Sequence, residues 1–230
     1  MCPVSNVALG VYSDLTSVPL PTLLEAGATV ALGADDPLLF GSQLAAQYAG
    51  RGVVGFGLSN DERRGTTSEF APAFSIAERA GLLLVPHGGE LRGPEHISQC
   101  LDELHAQRLG HGIRAAEDPD LLDLIVSRDI ALEVCPVSNV ALGVYTDLSS
   151  VPLPDLMAAG ATIALGADDP LLFGSQLASQ YATMRAAHDL TDDQLAELAR
   201  MSVRASAAPD DVKERLLVGI DDWLLPSSAP

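Results

Sequence analysis

The 230-residue chain carries 13 Lys and Arg against 31 Asp and Glu, a formal net charge of −18 at pH 7. With 47% hydrophobic and 19% charged residues it has the apolar mass for a packed core and is not a disordered chain. So negative a surface repels phosphate backbones and anionic lipid, which excludes nucleic-acid and membrane-surface partners from the expected functions. No apolar run reaches the roughly 18 residues that span a bilayer, and no basic-then-apolar leader opens the sequence. Three cysteines (Cys2, Cys100, Cys135) form no CxxC, so the expected setting is a reducing cytoplasm.

In chain order, the first feature is a copy. Residues 2–49 recur at 135–182, with 41 identities in 48 positions and differences only at 13, 16, 22, 24, 25, 30 and 46. Two copies that leave 50–134 uncovered are a partial duplication rather than a solenoid. The division expected is therefore a duplicated strand–helix segment at 1–49 and a larger α/β body at 50–230. Met1 aligns with Val134, inside a strand pattern, so Met1 is expected to be an internal or rearranged start. An alternative for the same pattern is an assembly of two overlapping copies of one gene.

Beyond the copy, short apolar runs alternate with helical spacing. Val53–Leu58, Leu82–Pro86, Ile130–Cys135 and Thr162–Gly166 predict buried strands. A fifth body strand is counted before His111, and a sixth is expected in the copy at Ala28–Gly33, beside Val53–Leu58. Ser68–Ala80 predicts a helix stopped by Gly81. Pro94 and Pro119 stand at first helical positions, the latter after an Asp118 cap. Two amphipathic helices follow at 191–204 and 208–224, closing around Trp223. Alternating β and α predicts a parallel sheet with helices outside, a barrel or an open doubly wound sheet.

No GxGxxG follows the first strand and no GxxxxGK[ST] occurs, so a nucleotide cradle is unsupported. The chemistry-bearing side chains all follow strands: Asn60, Asp61 and Glu62 after the first body strand, then His87 and Glu90, His111, and Asp168 with Asp169. Each has a structural alternative. Asp169 before Pro170 reads as an N-cap. His111 between two glycines reads as a buried histidine bonded to backbone, and HGGE as a glycine-rich turn. Glu62-Arg63-Arg64 reads as a solvated charge cluster, while His96, His105 and His188 read as surface residues. Cys135 reads as a small buried apolar group. Asp168 directly after an apolar strand needs a partner or a metal. Together, two histidines, a glutamic acid and two aspartates at strand ends point to hydrolysis at a metal.

Four stretches carry a resemblance: HGGE at 87–90, RLGHG at 108–112, LEVCPVSN at 132–139 and LGADDP at 165–170. In order and spacing they resemble the adenosine/AMP deaminase family of the amidohydrolase superfamily, as does the SVRASAAPDDVKERLL stretch near the C-terminus. The resemblance implies a (β/α)8 TIM barrel, one zinc ion and hydrolytic deamination of an aminopurine nucleoside. The wording of VVGFGLSNDERRG and HGGEL is similar to actinobacterial members, some of which deaminate 6-aminodeoxyfutalosine. It implies His87 and Asp168 as zinc ligands, Glu90 as proton donor to the purine ring nitrogen, His111 as the residue orienting or deprotonating the attacking water, and Asp169 as a hold on a second ring nitrogen. Asn60 falls where the family often places a glycine whose backbone contacts the purine.

One departure weighs on activity. The family's first strand ends in His-x-His, which supplies two zinc ligands, and no His-x-His occurs in this sequence. Six expected strands are also fewer than the eight that close a barrel. The expectation is an incomplete barrel with an incomplete zinc site and severely reduced or absent activity. The alternative from another class is a truncated non-catalytic pseudoenzyme or a self-associating scaffold, since an unclosed sheet leaves apolar faces and edges to pair.

Overall fold

A computed structural model describes residues 53–225, the backbone of a strand at 30–33 and the single positions 13, 17 and 22. Met1, with the start expected there, and Asp35 and Asp36 of the copy lie outside the described residues. The chain forms two compact units, Met1–Gly110 and His111–Pro230.

In the first unit the strand order is β1 (Val30–Gly33), β2 (Val53–Leu58), β3 (Leu83–Gly88) and β4 (Arg108–His111), whose last residue opens the second unit. β1 runs parallel to β2 with Val30 opposite Val53 and Gly33 opposite Gly57, so the copy's strand takes the expected edge place. β2 and β3 are also parallel, Gly55 to Leu83 through Leu58 to Pro86. Parallel neighbours need crossovers, and helices supply them. α1 (Thr67–Arg79) starts from a Thr66–Glu69 capping box and ends before Gly81, whose φ of 74° is left-handed. α2 (Pro94–Glu103) begins with Pro94 at its first position. Both strand and helix faces are apolar: Phe56 of β2 meets Phe74 of α1 edge-on, centroids 5.0 Å apart, with Leu84, Ile97 and Leu109 fully buried.

The second unit opens with a 3₁₀ turn (Ile113–Glu117) and α3 (Pro119–Ser127), where Asp118 accepts a hydrogen bond from Leu121 N as the sequence predicts. β5 (Ala131–Val134) and β6 (Ile163–Leu165) pair in parallel, Leu132 opposite Ile163. Between them lie α4 (Pro136–Ala141) and α5 (Leu153–Ala158). After β6 come α6 (Pro170–Phe173), α7 (Leu177–His188), α8 (Asp192–Arg204) and α9 (Asp210–Leu224). Within 135–182, Ile163 is the one position of difference from the copy that is buried, and there the change is only to Val30; Thr146, Ser149, Asp155, Ala158 and Ser179 are exposed. Met157, the remaining difference, is half-buried.

With parallel strands, outer helices and six described strands, of which β1 has β2 alone as strand neighbour, the fold is α/β, an incomplete (β/α)8 barrel. One expectation fails: Trp223 does not close a core but is 55% exposed. α9 holds no fully buried residue and is tied to α8 through polar links such as Arg200 to Asp221 at 2.6 Å. None of the helices among the described residues is long and apolar enough to cross a membrane.

Candidate active site

The first unit gathers its polar side chains where β2 and β3 end. The chain leaves β2 through Asn60, whose φ of 98° is a conformation that glycine adopts freely and asparagine tolerates among few others. Asn60 Oδ1 then accepts from Asp61 N at 2.8 Å, fixing the turn. Asp61 accepts from Arg63 Nε and Nη2 at 2.8 and 2.9 Å, and these hydrogen bonds bring its carboxyl down to about 2.

Glu62 departs from the expected solvated cluster. Arg63 and Arg64 are exposed, but the Glu62 side chain is 1% exposed. Its carboxylate accepts from three successive main-chain N–H groups: Glu90 N (3.1 Å), Leu91 N (2.9 Å) and Arg92 N (2.8 Å). Successive amides turned toward one point form an anion-binding concavity, and here the anion is a side chain of the same unit. His96 also departs from expectation. It is buried on the inner face of α2 with Ile97, Cys100 and Leu101, its Nδ1 3.7 Å from Glu62 Oε2 and its Nε2 3.9 Å from Cys100 Sγ. Burial pushes the Glu62 carboxyl up, yet His96 and the Arg92 and Glu90 amides outweigh it and hold the group below its usual value. The clue to His96 lay in its spacing of four from Cys100, which puts both on one helical face.

β3 delivers the HGGE stretch. His87 lies half-buried in the strand's last turn of pleat. Gly88 follows because a Cβ there would stand 3.0 Å from Cys100 Sγ, and Gly89 takes a left-handed φ of 77°. Gly110 on β4 is required too, since a Cβ would fall 2.4 Å from His87 Cδ2. Glu90 emerges 4% exposed, and its ligand atom and that of His87 lie within 4.8 Å of each other. Leu58, Asn60, Glu62, Thr66, His87 and His96 are among the residues lining a cavity of about 310 Å³.

In the second unit, His111 is buried with a φ of 65° at its opening. Asp168, φ 55°, and Asp169 follow β6 and are both exposed. Asp168 therefore has solvent and no need of the partner that burial would demand. Asp169 caps α6, accepting from Leu171 N and Leu172 N at 3.0 and 2.8 Å, as its place before Pro170 predicts. Cys135 is buried, and a Cβ on Gly166 would meet its Sγ at 2.9 Å, so these motif residues serve packing.

A profile of the family described as Adenosine deaminase matches residues 1–51 and again 43–223. The chain belongs to the adenosine deaminase family. Among relatives of this family, a putative adenosine/adenine deaminase of Streptomyces virginiae is 63% identical over 183 residues, covering 80% of this chain and 54% of that protein. An adenine deaminase of Agrobacterium fabrum is 40% identical over 182 residues, 77% of this chain and 56% of that protein. The chain thus spans about half the length of the curated relatives it matches. Among solved structures, adenine deaminase from Arthrobacter aurescens superposes with a TM-score of 0.77 at 29% identity, covering 91% of this chain and 66% of that one. An amidohydrolase from Burkholderia ambifaria, solved with zinc bound, shares the fold at a TM-score of 0.81 and 18% identity, over 97% of this chain and 66% of that one.

The deaminase-family donors fit a divalent cation in kind, an imidazole beside a carboxylate, but they are few. The first unit offers His87 and Glu90; the second offers a buried His111 and an exposed Asp168. A catalytic zinc ordinarily holds three protein ligands and keeps one position open.

Proposed function

We propose that this chain is a zinc-dependent aminopurine deaminase by lineage, acting on adenine, adenosine or a related 6-amino purine nucleoside, and that alone it turns over severely slowly or not at all. The observation that carries this reading is the His87–Glu90 pair where β3 ends, within 4.8 Å of each other, with His87 lining a cavity. His87 and Asp168 would hold the ion. When bound, zinc supplies an activated water at neutral pH. Glu90, 4% exposed at the end of the HGGE stretch, would protonate the purine ring nitrogen. His111 would orient the water and take its proton. Asp169, with the Asn60 backbone, would hold the rest of the ring. The amino group leaves as ammonia and a carbonyl oxygen takes its place. The want of a His-x-His pair is the reason for the slow turnover, because remaining ligands are below the usual number.

Metal analysis of the purified chain tests this. Zinc near one per chain that drops in His87→Ala supports the reading, and zinc-free protein after loading contradicts it.

A second reading, a non-catalytic self-associating scaffold, draws on exposed leucines: Leu171 is 97%, Leu172 73% and Leu177 51% exposed on α6 and α7. Large exposed apolar groups close together in the chain favour association. Zinc-free protein with concentration-dependent sedimentation supports the scaffold, and zinc-bound monomer contradicts it.

A further inference from the structure

We propose that Glu62 is a positioning residue: its buried carboxylate gathers the amides of residues 90–92 and thereby sets the direction in which the Glu90 side chain leaves the backbone. The role of Glu90 as proton donor is the reading given above, on which this rests; the anchor itself rests on geometry alone.

The physical case begins with the glycines. Gly88 and Gly89 let the chain turn sharply after His87, and a glycine-rich turn loses more conformational freedom on ordering than any other. Something must hold it. Within the loop, the backbone hydrogen bonds of regular structure stop at the end of β3. The N–H groups of Glu90, Leu91 and Arg92 all point to one group, Glu62. Hydrogen bonds to an ionised acceptor are roughly twice as strong as neutral ones. Here they are also shielded, since the Glu62 side chain is 1% exposed and that of His96 7%. A buried carboxylate would be costly without such donors. The amides need the acid and the acid needs the amides, so the loop has one favoured arrangement. Glu90 N and Leu91 N both belong to that set, and a residue whose two flanking peptide groups are held has its Cα–Cβ direction held with them. His96 backs the carboxylate from α2, its Nδ1 3.7 Å from Oε2.

The test compares the full chain with Glu62→Gln and Glu62→Leu. Gln keeps the shape and one acceptor oxygen, so it rescues part of the anchor and keeps the chain folded. Leu removes all acceptors. Amide hydrogen exchange is read at residues 90–92 and at β5 and β6, and any residual ammonia release from adenosine is read with zinc added. The expected result is exchange faster by about tenfold or more at 90–92 in the Leu variant, a smaller increase in the Gln variant, and no change at β5 and β6. Residual kcat falls in the same order with KM little changed. Wild-type-like protection at 90–92 in the Leu variant overturns the proposal. Equal acceleration in every strand overturns it as well, since that is a general loss of structure. A wild-type chain with no turnover agrees with the reading above, and opening confined to 90–92 in the Leu variant then supports the anchor on its own; a chain that stays zinc-free after loading counts against the deaminase reading and leaves the anchor standing.

Discussion

The His87 imidazole lies against the bare α-carbon of Gly110, so close that a Cβ there would stand 2.4 Å from Cδ2. The RLGHG motif thus includes a residue whose service is to make room for another motif. Gly110→Ala must move either the strand or the imidazole. The expected outcome is a loss of about 1–3 kcal/mol, the usual cost of overpacking, measured as a lower denaturant midpoint at constant m-value.

A contrasting glycine serves as control. Gly219 sits inside α9 with nothing within 4 Å of where a Cβ would go. Gly219→Ala is expected to stabilise by about 1 kcal/mol through helix propensity. A midpoint that falls in this variant contradicts the placement of α9.

Cys100 offers a chemical probe of the inner face of α2. Burial, and then the charge of Glu62, push its thiol up to about 12. At pH 8 it stays protonated in the folded chain, so iodoacetamide should modify it far more slowly than in denaturant. Peptide mass mapping checks this, and equal rates in the two states would contradict the burial.

Glu62 sets a pH window for stability. Its folded value lies below the ordinary 4.5, so its contribution is present above 4.5 and is lost as pH falls through the folded value. Urea midpoints of the wild-type chain and Glu62→Gln should therefore converge as pH is lowered from 4.5. A gap that stays constant or widens on acidification contradicts the assignment.

Local rules made much of the fold legible. Asp118 with Pro119, Asp169 with Pro170 and Gly81 after α1 announce helix ends by mechanisms that act within three residues. The edge place of β1 was legible because a strand with an apolar face needs a neighbour. Glu62 was not legible, since its donors lie 28 to 30 residues away and its neighbours Arg63 and Arg64 are solvated. His96 was hidden because polar neighbours masked its helical spacing to Cys100. Trp223 misled in the other direction, an aromatic near the C-terminus that remains largely exposed. Asn60, a departure from the glycine that the resemblance leads one to expect, stands in the positive-φ region that glycine favours.

The most direct test of the functional reading is ammonia release from adenine, adenosine and 6-aminodeoxyfutalosine by the purified chain with excess zinc, run beside a full-length relative. The expected result is turnover lower by about a thousandfold or more, or none, in keeping with the loss of metal ligands that hold and activate water. Turnover comparable with that of the full-length relative would contradict it.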